Sequence, residues 1–304
     1  KSFAMNLLTI FTPTYNREHT LPRLYESLKR QTNMNFEWLV INDGSTDDTV
    51  SLLKQWQAEE TGFDKRFYTI DNGGKNRAIN RALDLTKAQY FMILDSDDLL
   101  TDDAVEQIIS AFDGITDEHI IGISKKRGDL NRKPLKQTYN IPNSIGYVEC
   151  SNLERTHYGL DVDMAEVFYT EKLNRYRFPV WQGENFTPEE VIWNRIALDG
   201  YKLRWYNQVV YLCEYQQGGL SDSTWRLLRD NPMGYAMMYR QRIIISKKMC
   251  EKRYNAAQMV ALSLLGGHLA YALKAISYDF LLYVSIPMGI VIACRRWFQF
   301  KRLS

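Results

Sequence analysis

Apolar residues fall in short bursts through the first hundred positions, and the bursts alternate between two periods. LLTIFTPTY (residues 7–15) opens as an unbroken β-rich run and ends at Pro13. HTLPRLYESLKRQ (19–31) repeats its apolar positions at helical spacing. FEWLVINDGSTDD (36–48) is a strand pattern running into an Asp-Gly turn. DDTVSLLKQWQAE (47–59) predicts a helix with acids in its first turn, where the helix dipole favours them. RFYTI (66–70) predicts a short strand, KNRAINRALDLTK (75–87) a helix and YFMILD (90–95) another strand. The order β-α-β-α-β-α-β implies an open parallel sheet with helices on both faces. Such sheets bind ligands beyond the carboxyl ends of their strands. Polar clusters at 12–17, 42–48, 71–76 and 95–98 each sit at such an end.

From about 115 to 215 the pattern breaks into short β-like pieces and polar loops. GENFTPEEVIWNRIALDGYKLRW (183–205) predicts a helix opened by Pro188 and stopped near Gly200, then a strand. QQGGLSDS (216–223) reads as a glycine-containing loop. No internal repeat or low-complexity linker is visible. Two uncharged runs follow, at 254–273 and 280–294. The first is long enough to span a bilayer, but Gln258, Ser263, Gly266, Gly267 and His268 dilute it. The second is short, is broken by Pro287 and Gly289, and ends in Arg295 and Arg296. Both are expected to be interfacial or re-entrant helices rather than spans; a packed helical cap is the competing expectation. WFQFKR (297–302) mixes aromatics and cations as an interfacial anchor does.

Composition changes the picture mainly through charge. The 304 residues, 45% hydrophobic and 24% charged, describe an ordinary globular chain with room for one large domain or two smaller ones. The net charge of +2 hides an asymmetry. Residues 1–240 carry 28 Lys and Arg against 34 acids, a net of −6; residues 241–304 carry ten against two, a net of +8. The tail is therefore expected to have its own partner, an anionic membrane surface, with no nucleic acid among the partners. Cys150, Cys213, Cys250 and Cys294 are scattered, which fits a reducing compartment and neither a disulfide framework nor a zinc site. His19, His119, His157 and His268 are equally scattered and read as structural. Residues 1–5 read as an expression scar ahead of a native start at Met5, with no signal peptide expected.

The candidate chemistry begins at FMILDSDDLL (91–100), where an apolar strand runs into Asp95, Ser96, Asp97 and Asp98. Bunched carboxylates repel and are costly to desolvate. A cation among them would remove that cost; a solvated turn with an Asp-rich helix start at 99–103 would accommodate the same residues without one. Carboxylate oxygens suit Mg²⁺ or Mn²⁺, ions that usually keep room for substrate phosphates. Asp43, beside Gly44, offers an acceptor that could take the N–H of a pyrimidine, though a turn and helix cap would use the same segment.

PTYNR (13–17), VINDGSTDDT (40–49), NGGKNRAINRAL (72–83) and ILDSDDLL (93–100) resemble, in order and spacing, the inverting family 2 glycosyltransferases of GT-A fold. GENFTPEEVIWNR and YQQGGLS are similar to bacterial members that build capsule, exopolysaccharide or O-antigen. The resemblance covers roughly residues 6–225. It implies an α/β, Rossmann-like, mainly parallel sheet in a catalytic domain at 6–225, with a nucleotide-binding half (6–100) and an acceptor half (101–225). Residues 226–304 would be a helical, membrane-associating extension. By the same resemblance Thr12, Pro13 and Tyr15 line the nucleoside pocket, with Arg17 near the phosphates. Asp43 accepts from uracil, and Lys75 and Asn76 face the donor. Asp95 and Asp97 form the DXD pair around Ser96, with Asp97 the more direct metal ligand and Asp95 nearer the ribose. Many members carry Glu-Asp before a helix that ends in Arg. Here Pro188-Glu189-Glu190 precedes Arg195, which puts Glu189 at the general-base position and leaves Glu190 as its rival.

The implied activity is transfer of a sugar, with inversion, from a UDP-sugar to a hydroxyl of a saccharide or polyprenyl-diphosphate-linked acceptor. It would need Mn²⁺ or Mg²⁺ and would proceed at the cytoplasmic face of the membrane, with self-association through the C-terminal helices a further option. The chemistry is coherent on its own terms: a metal neutralises the leaving diphosphate and a carboxylate takes the acceptor's proton. DSDDLL also imitates the haloacid-dehalogenase phosphatases, but Leu99 stands where those carry Thr or Val, and the motif follows three βα units instead of lying near the N-terminus. An EF-hand fails because Leu99 and Leu100 occupy positions needing a ligand and a glycine. A non-catalytic sugar-nucleotide-binding subunit is the remaining alternative.

Overall fold

The computed structural model describes residues 6–136, 141–142, 144–214, 224–277, 279 and 282–302. The chain divides into two compact units, 1–177 with 195–214 and 178–194 with 215–304.

The first unit is built on one sheet. Strands β1 (Leu8–Thr14), β2 (Phe36–Asn42), β3 (Asp64–Thr69) and β4 (Tyr90–Ile93) are linked by helices α1 (Leu21–Lys29), α2 (Thr49–Ala58) and α3 (Lys75–Leu85). They pair in parallel in the order β3-β2-β1-β4. All seven residues of β2 are buried, which explains its almost unbroken apolar run: a parallel strand is covered on both faces. α1 buries Leu21, Leu24, Tyr25 and Leu28, the stripe its sequence period requires, and Pro22 sits in its first turn. Register pairs Thr14 with Asn42 and Asn42 with Thr69, so the carboxyl ends of β1, β2 and β3 are level at one edge of the sheet.

The mainly parallel sheet expected from the sequence ends at β4. Beyond it come β5 (Leu99–Leu100), α4 (Ala104–Ala111), β6 (Ile120–Gly128), β7 (Tyr147–Cys150), β8 (Met164–Tyr169), α5 (Thr170–Leu173), α6 (Glu190–Leu198) and β9 (Lys202–Leu212). β8 runs antiparallel to β4 and β6; β9 is parallel to β6 and antiparallel to β5 and β7. Parallel neighbours need a long crossover, usually helical. The described chain between β6 and β8 offers the short strand β7 and one 3₁₀ turn (Arg155–Tyr158), and β8 returns antiparallel. The nine-stranded sheet is therefore mixed. Leu99 and Leu100, expected to begin an Asp-rich helix, instead pair with Leu212 and Tyr211 of β9.

The second unit holds helices α7 (Thr224–Asp230), α8 (Pro232–Ile245), α9 (Met249–Leu265), α10 (Leu269–Ile276) and α11 (Ser285–Lys301). Segment 178–194 groups with these helices. Polar anchors hold it there. Glu184 accepts the Met233 and Gly234 N–H groups, each at 2.7 Å, at the start of α8. Asn231 Oδ1 accepts the N–H groups of Asn185 and Phe186, both at 2.9 Å. The first uncharged run is spent on internal packing, since residues 255–263 of α9 are all buried. Among the described residues no helix is long and apolar enough to cross a membrane. Residues 215–223, with all of YQQGGLS and QQGGLSDS, and residues 1–5 lie outside the described residues.

Gly122 pairs with Phe168 across β6 and β8. A Cβ there would lie 2.2 Å from the Val167 carbonyl oxygen, a backbone atom that can yield only by opening the ladder. Gly122→Ala is therefore expected to cost about 1–3 kcal/mol, in the range of core overpacking, read as a lowered denaturation midpoint. An unchanged midpoint would contradict the close approach.

Candidate active site

Side chains at the carboxyl ends of the parallel strands tie their loops to one another. After β1, Asn16 adopts φ +52°. Its N–H donates to Ser45 Oγ at 2.8 Å and its Oδ1 accepts the Thr46 N–H at 2.8 Å. The Arg17 N–H donates to Thr49 Oγ1 at 2.9 Å. These bonds join PTYNR to the turn after β2. Asp43, 6% exposed at the end of β2, accepts the Gly73 and Gly74 N–H groups, one on each carboxylate oxygen, at 2.8 Å. Gly44 turns there with φ +74°, and a Cβ on it would lie 3.0 Å from the Asn72 nitrogen. That joins the ends of β2 and β3. Lys75 then opens α3, and its Nζ lies 2.7 Å from Asp95 Oδ1, reaching the end of β4.

The expected donor residues lie along this edge or beside it. Thr12 is fully buried, and its hydroxyl accepts the Trp38 indole N–H at 3.0 Å. Pro13 and Arg17 are half-buried, Tyr15 is exposed, and Asn76 and Ser96 are buried. Asp97 is half-buried, and its carbonyl accepts from Arg23 at 3.3 Å.

Residues from the mixed half of the sheet complete the cluster. The Arg127 guanidinium, on β6, lies 3.8 Å from Asp95 and 3.9 Å from Asp98, with its plane 4.1 Å from the Tyr211 ring centroid. Its Nε donates to the Met164 carbonyl at 2.8 Å. Tyr211 Oη accepts the Asp95 N–H at 2.9 Å. Burial alone would raise the Asp95 carboxyl, but Lys75 and Arg127 beside it hold it below the ordinary carboxylate range. Asp98 lacks that compensation: burial, and then the charge of Asp95, pushes it up to about 7. Glu166 on β8, 3.9 Å from Arg155, is also pushed up to about 7 by burial, with Arg155 and Arg127 only partly offsetting it. The sequence reading missed Arg127 and Tyr211. The signal was the charged triplet of SKKRG closing an apolar strand.

Among the described residues no group of three or more His, Cys, Asp or Glu could enclose a metal ion. The residues present fit an ion held in another way. Asp97 and Asp95 offer hard oxygen donors, and Mg²⁺ or Mn²⁺ is commonly bound by one or two carboxylates together with substrate phosphates.

Glu189 and Glu190 belong to the second unit. The Glu189 carbonyl accepts the Ile192 and Trp193 N–H groups at 2.8 and 3.2 Å, so Glu189 opens α6. Glu190 is clamped by Arg242 of α8 through two bonds of 2.8 and 2.6 Å.

Residues 9–174, more than half of the chain, match the family model described as Glycosyl transferase family 2. The chain belongs to glycosyl transferase family 2. Among family 2 relatives, the teichoic acid poly(glycerol phosphate) polymerase of Staphylococcus epidermidis is 37% identical over 111 residues, which is 36% of this chain and 15% of that protein. The chondroitin synthase of Escherichia coli is 38% identical over 106 residues, 35% of this chain and 15% of that protein. The matched stretch thus spans about a seventh of those relatives. In three dimensions the chain is similar to S. aureus TarS in complex with UDP-GlcNAc, with a TM-score of 0.61 and 15% identity over 94% of this chain and 90% of that one. It is also similar to the mannosyltransferase PcManGT of Pyrobaculum calidifontis, solved with GDP-Man and Mn²⁺, with a TM-score of 0.57 and 15% identity over 96% and 88% of the two chains. At this identity the likeness establishes the GT-A type of fold.

The raised Glu166 makes a signed expectation. A carboxyl whose folded pKa exceeds its unfolded value stabilises most below the unfolded value, and that contribution is lost as pH rises through the folded one. Between about pH 4.5 and 7 the wild type should therefore lose up to about 3 kcal/mol through this group. Glu166→Gln should gain on wild type by that trend between pH 5 and pH 8 in urea denaturation. A difference that stays flat with pH would contradict the assigned burial.

Proposed function

We propose that this chain is an inverting glycosyltransferase of bacterial cell-surface polysaccharide synthesis. It would move a sugar from a UDP-sugar to a hydroxyl of a saccharide acceptor carried on a polyprenyl diphosphate. The observation that carries this reading is the run of joined strand ends from Asn16 through Asp43 and Lys75 to Asp95, at the sheet edge where such folds bind ligands. A nucleotide-sugar donor is supported by the UDP-GlcNAc and GDP-Man named with the two structural neighbours. A polysaccharide product is supported by the two polymerising relatives.

Each residue then has a part. Asp43, already fixed by two backbone N–H groups, retains acceptor capacity for the uracil N–H. Tyr15 offers an exposed ring beside the nucleoside. Arg17 and Lys75 place positive charge toward the diphosphate, and Asp95 meets the ribose. Asn76 and Ser96 shape the wall behind the donor. Mn²⁺ or Mg²⁺, held by Asp97 with Asp95, would neutralise charge developing on the leaving diphosphate. Glu189 takes the proton of the acceptor hydroxyl as it attacks the anomeric carbon from the face opposite UDP, which inverts that centre. Glu190, whose carboxylate is held by the Arg242 guanidinium through two hydrogen bonds, is its rival for that role. The enzyme would work at the cytoplasmic face of the membrane as a peripheral or monotopic protein, with self-association through the C-terminal helices as a further trait.

A panel of UDP-sugars with Mn²⁺ and Mg²⁺ tests the reading through UDP release. Asp97→Ala should abolish nearly all release, and EDTA should silence the wild type; full activity in EDTA would remove the metal from the account. Glu189→Gln should lower turnover about 10²- to 10⁴-fold with UDP binding near wild type. The same loss in Glu190→Gln, with Glu189→Gln active, would shift the base by one residue.

A further inference from the structure

Helix α11 buries its small residues and leaves several large ones outward. Ser285, Gly289, Ala293 and Phe300 are buried, and Ile286 is partly buried against the same core. A Cβ on Gly289 would lie 2.6 Å from the Val260 side chain and 2.9 Å from the Ala257 carbonyl oxygen, so α11 lies tight on α9. On the other side Val284 is 61%, Met288 50%, Val291 68% and Phe298 62% exposed. These positions recur at intervals of three, four and seven, which aligns them in one stripe along the helix. Ile290 and Trp297 flank it. A helix packed on a soluble unit normally shows polar residues on that side.

The charge around the stripe indicates what covers it. No acid occurs anywhere in 280–304. Arg295, Lys301 and Arg302 are exposed at the carboxyl end, and Lys301 Nζ lies 3.7 Å over the Trp297 ring. Apolar turns followed by aromatics interleaved with cations suit acyl chains on one side and anionic headgroups on the other. A second copy of this helix would bring no acid to meet those cations. At about 1.5 Å per residue the helix is roughly 25 Å long, and no described helix is long and apolar enough to cross a membrane. The geometry fits a helix lying in the plane of the interface.

We propose that the Val284, Met288, Val291 and Phe298 face of α11 is a docking surface for an anionic lipid bilayer, entered by one leaflet only. This deepens the membrane location in the proposed function and rests on that reading only for the place of the acceptor. Of the two uncharged runs in the sequence, it assigns the membrane to the second alone.

Flotation of the full chain with vesicles tests it. Wild type should float with phosphatidylcholine vesicles containing phosphatidylglycerol, bind weakly to phosphatidylcholine alone, and weaken with salt. Val291→Glu with Phe298→Glu should reduce partitioning at least about tenfold, since each charge placed in hydrocarbon costs more than that factor. Replacing Arg295, Lys301 and Arg302 with Gln should cost about fivefold for each cation. UDP release in vesicle-free buffer should be unchanged in both variants. If UDP release is absent while flotation behaves as stated, docking stands and the reaction fails; the converse removes only the docking. Wild type that ignores anionic vesicles at low salt, or variants that float equally well, would overturn the proposal. So would a vesicle-independent dimer, seen by sedimentation, that the two Glu substitutions dissociate, for that would give the face to a second copy.

Discussion

A carboxylate at the end of a buried strand stays ionised only if positive charge and donors meet it, and the first unit meets Asp95 from three directions. Lys75 arrives from the start of α3, Arg127 from β6 and, from β9, Tyr211, whose hydroxyl donates to Asp95 Oδ2 at 3.5 Å. The same side chains that keep Asp95 charged therefore tie the parallel half of the sheet to the mixed half. Across β1, at the end of β2, Asp43 accepts the Gly73 and Gly74 N–H groups. Side-chain bonds thus join the strand ends along this edge of the sheet. Asp98, buried in the same cluster without equal compensation, shows how narrow the balance is.

In the second unit a different carboxylate sets the geometry. Glu184 accepts two N–H groups from the first turn of α8, where such groups lack partners within the helix. That fixes the segment leading to α6, and the Glu190–Arg242 pair fixes its first turn. Glu189 lies between these two anchors. The helices behind them spend one apolar run on their own core and leave the other on the surface of α11.

The parallel half of the sheet was legible because strand and helix periods alternate cleanly there and polar clusters mark each strand end. The polar clusters at the ends of these strands were legible for the same reason, whereas the bond from the Trp38 indole N–H to the Thr12 hydroxyl has no local mark in the sequence. The mixed half was not legible. Antiparallel pairing of β8 with β4 joins residues about 75 positions apart, such as Phe91 and Phe168, with no local mark. Arg127 and Tyr211 were hidden by that gap, since only long-range pairing brings them to Asp95. The bonds to Glu184 and Asn231, which join residues dozens of positions apart, have no local mark in the sequence either. In the tail, composition identified two uncharged runs, but only packing separates the core helix from the surface one.

Calorimetric titration of UDP in the presence of Mn²⁺ tests the central claim, that the joined strand ends form a nucleotide site built around Asp43. Wild type should bind, and Asp43→Asn, with its circular dichroism and thermal midpoint checked, should bind about ten- to a hundredfold more weakly, as expected for a lost hydrogen bond to a charged group. A wild type that takes up no UDP, or an Asp43→Asn that binds as well as wild type, would contradict it.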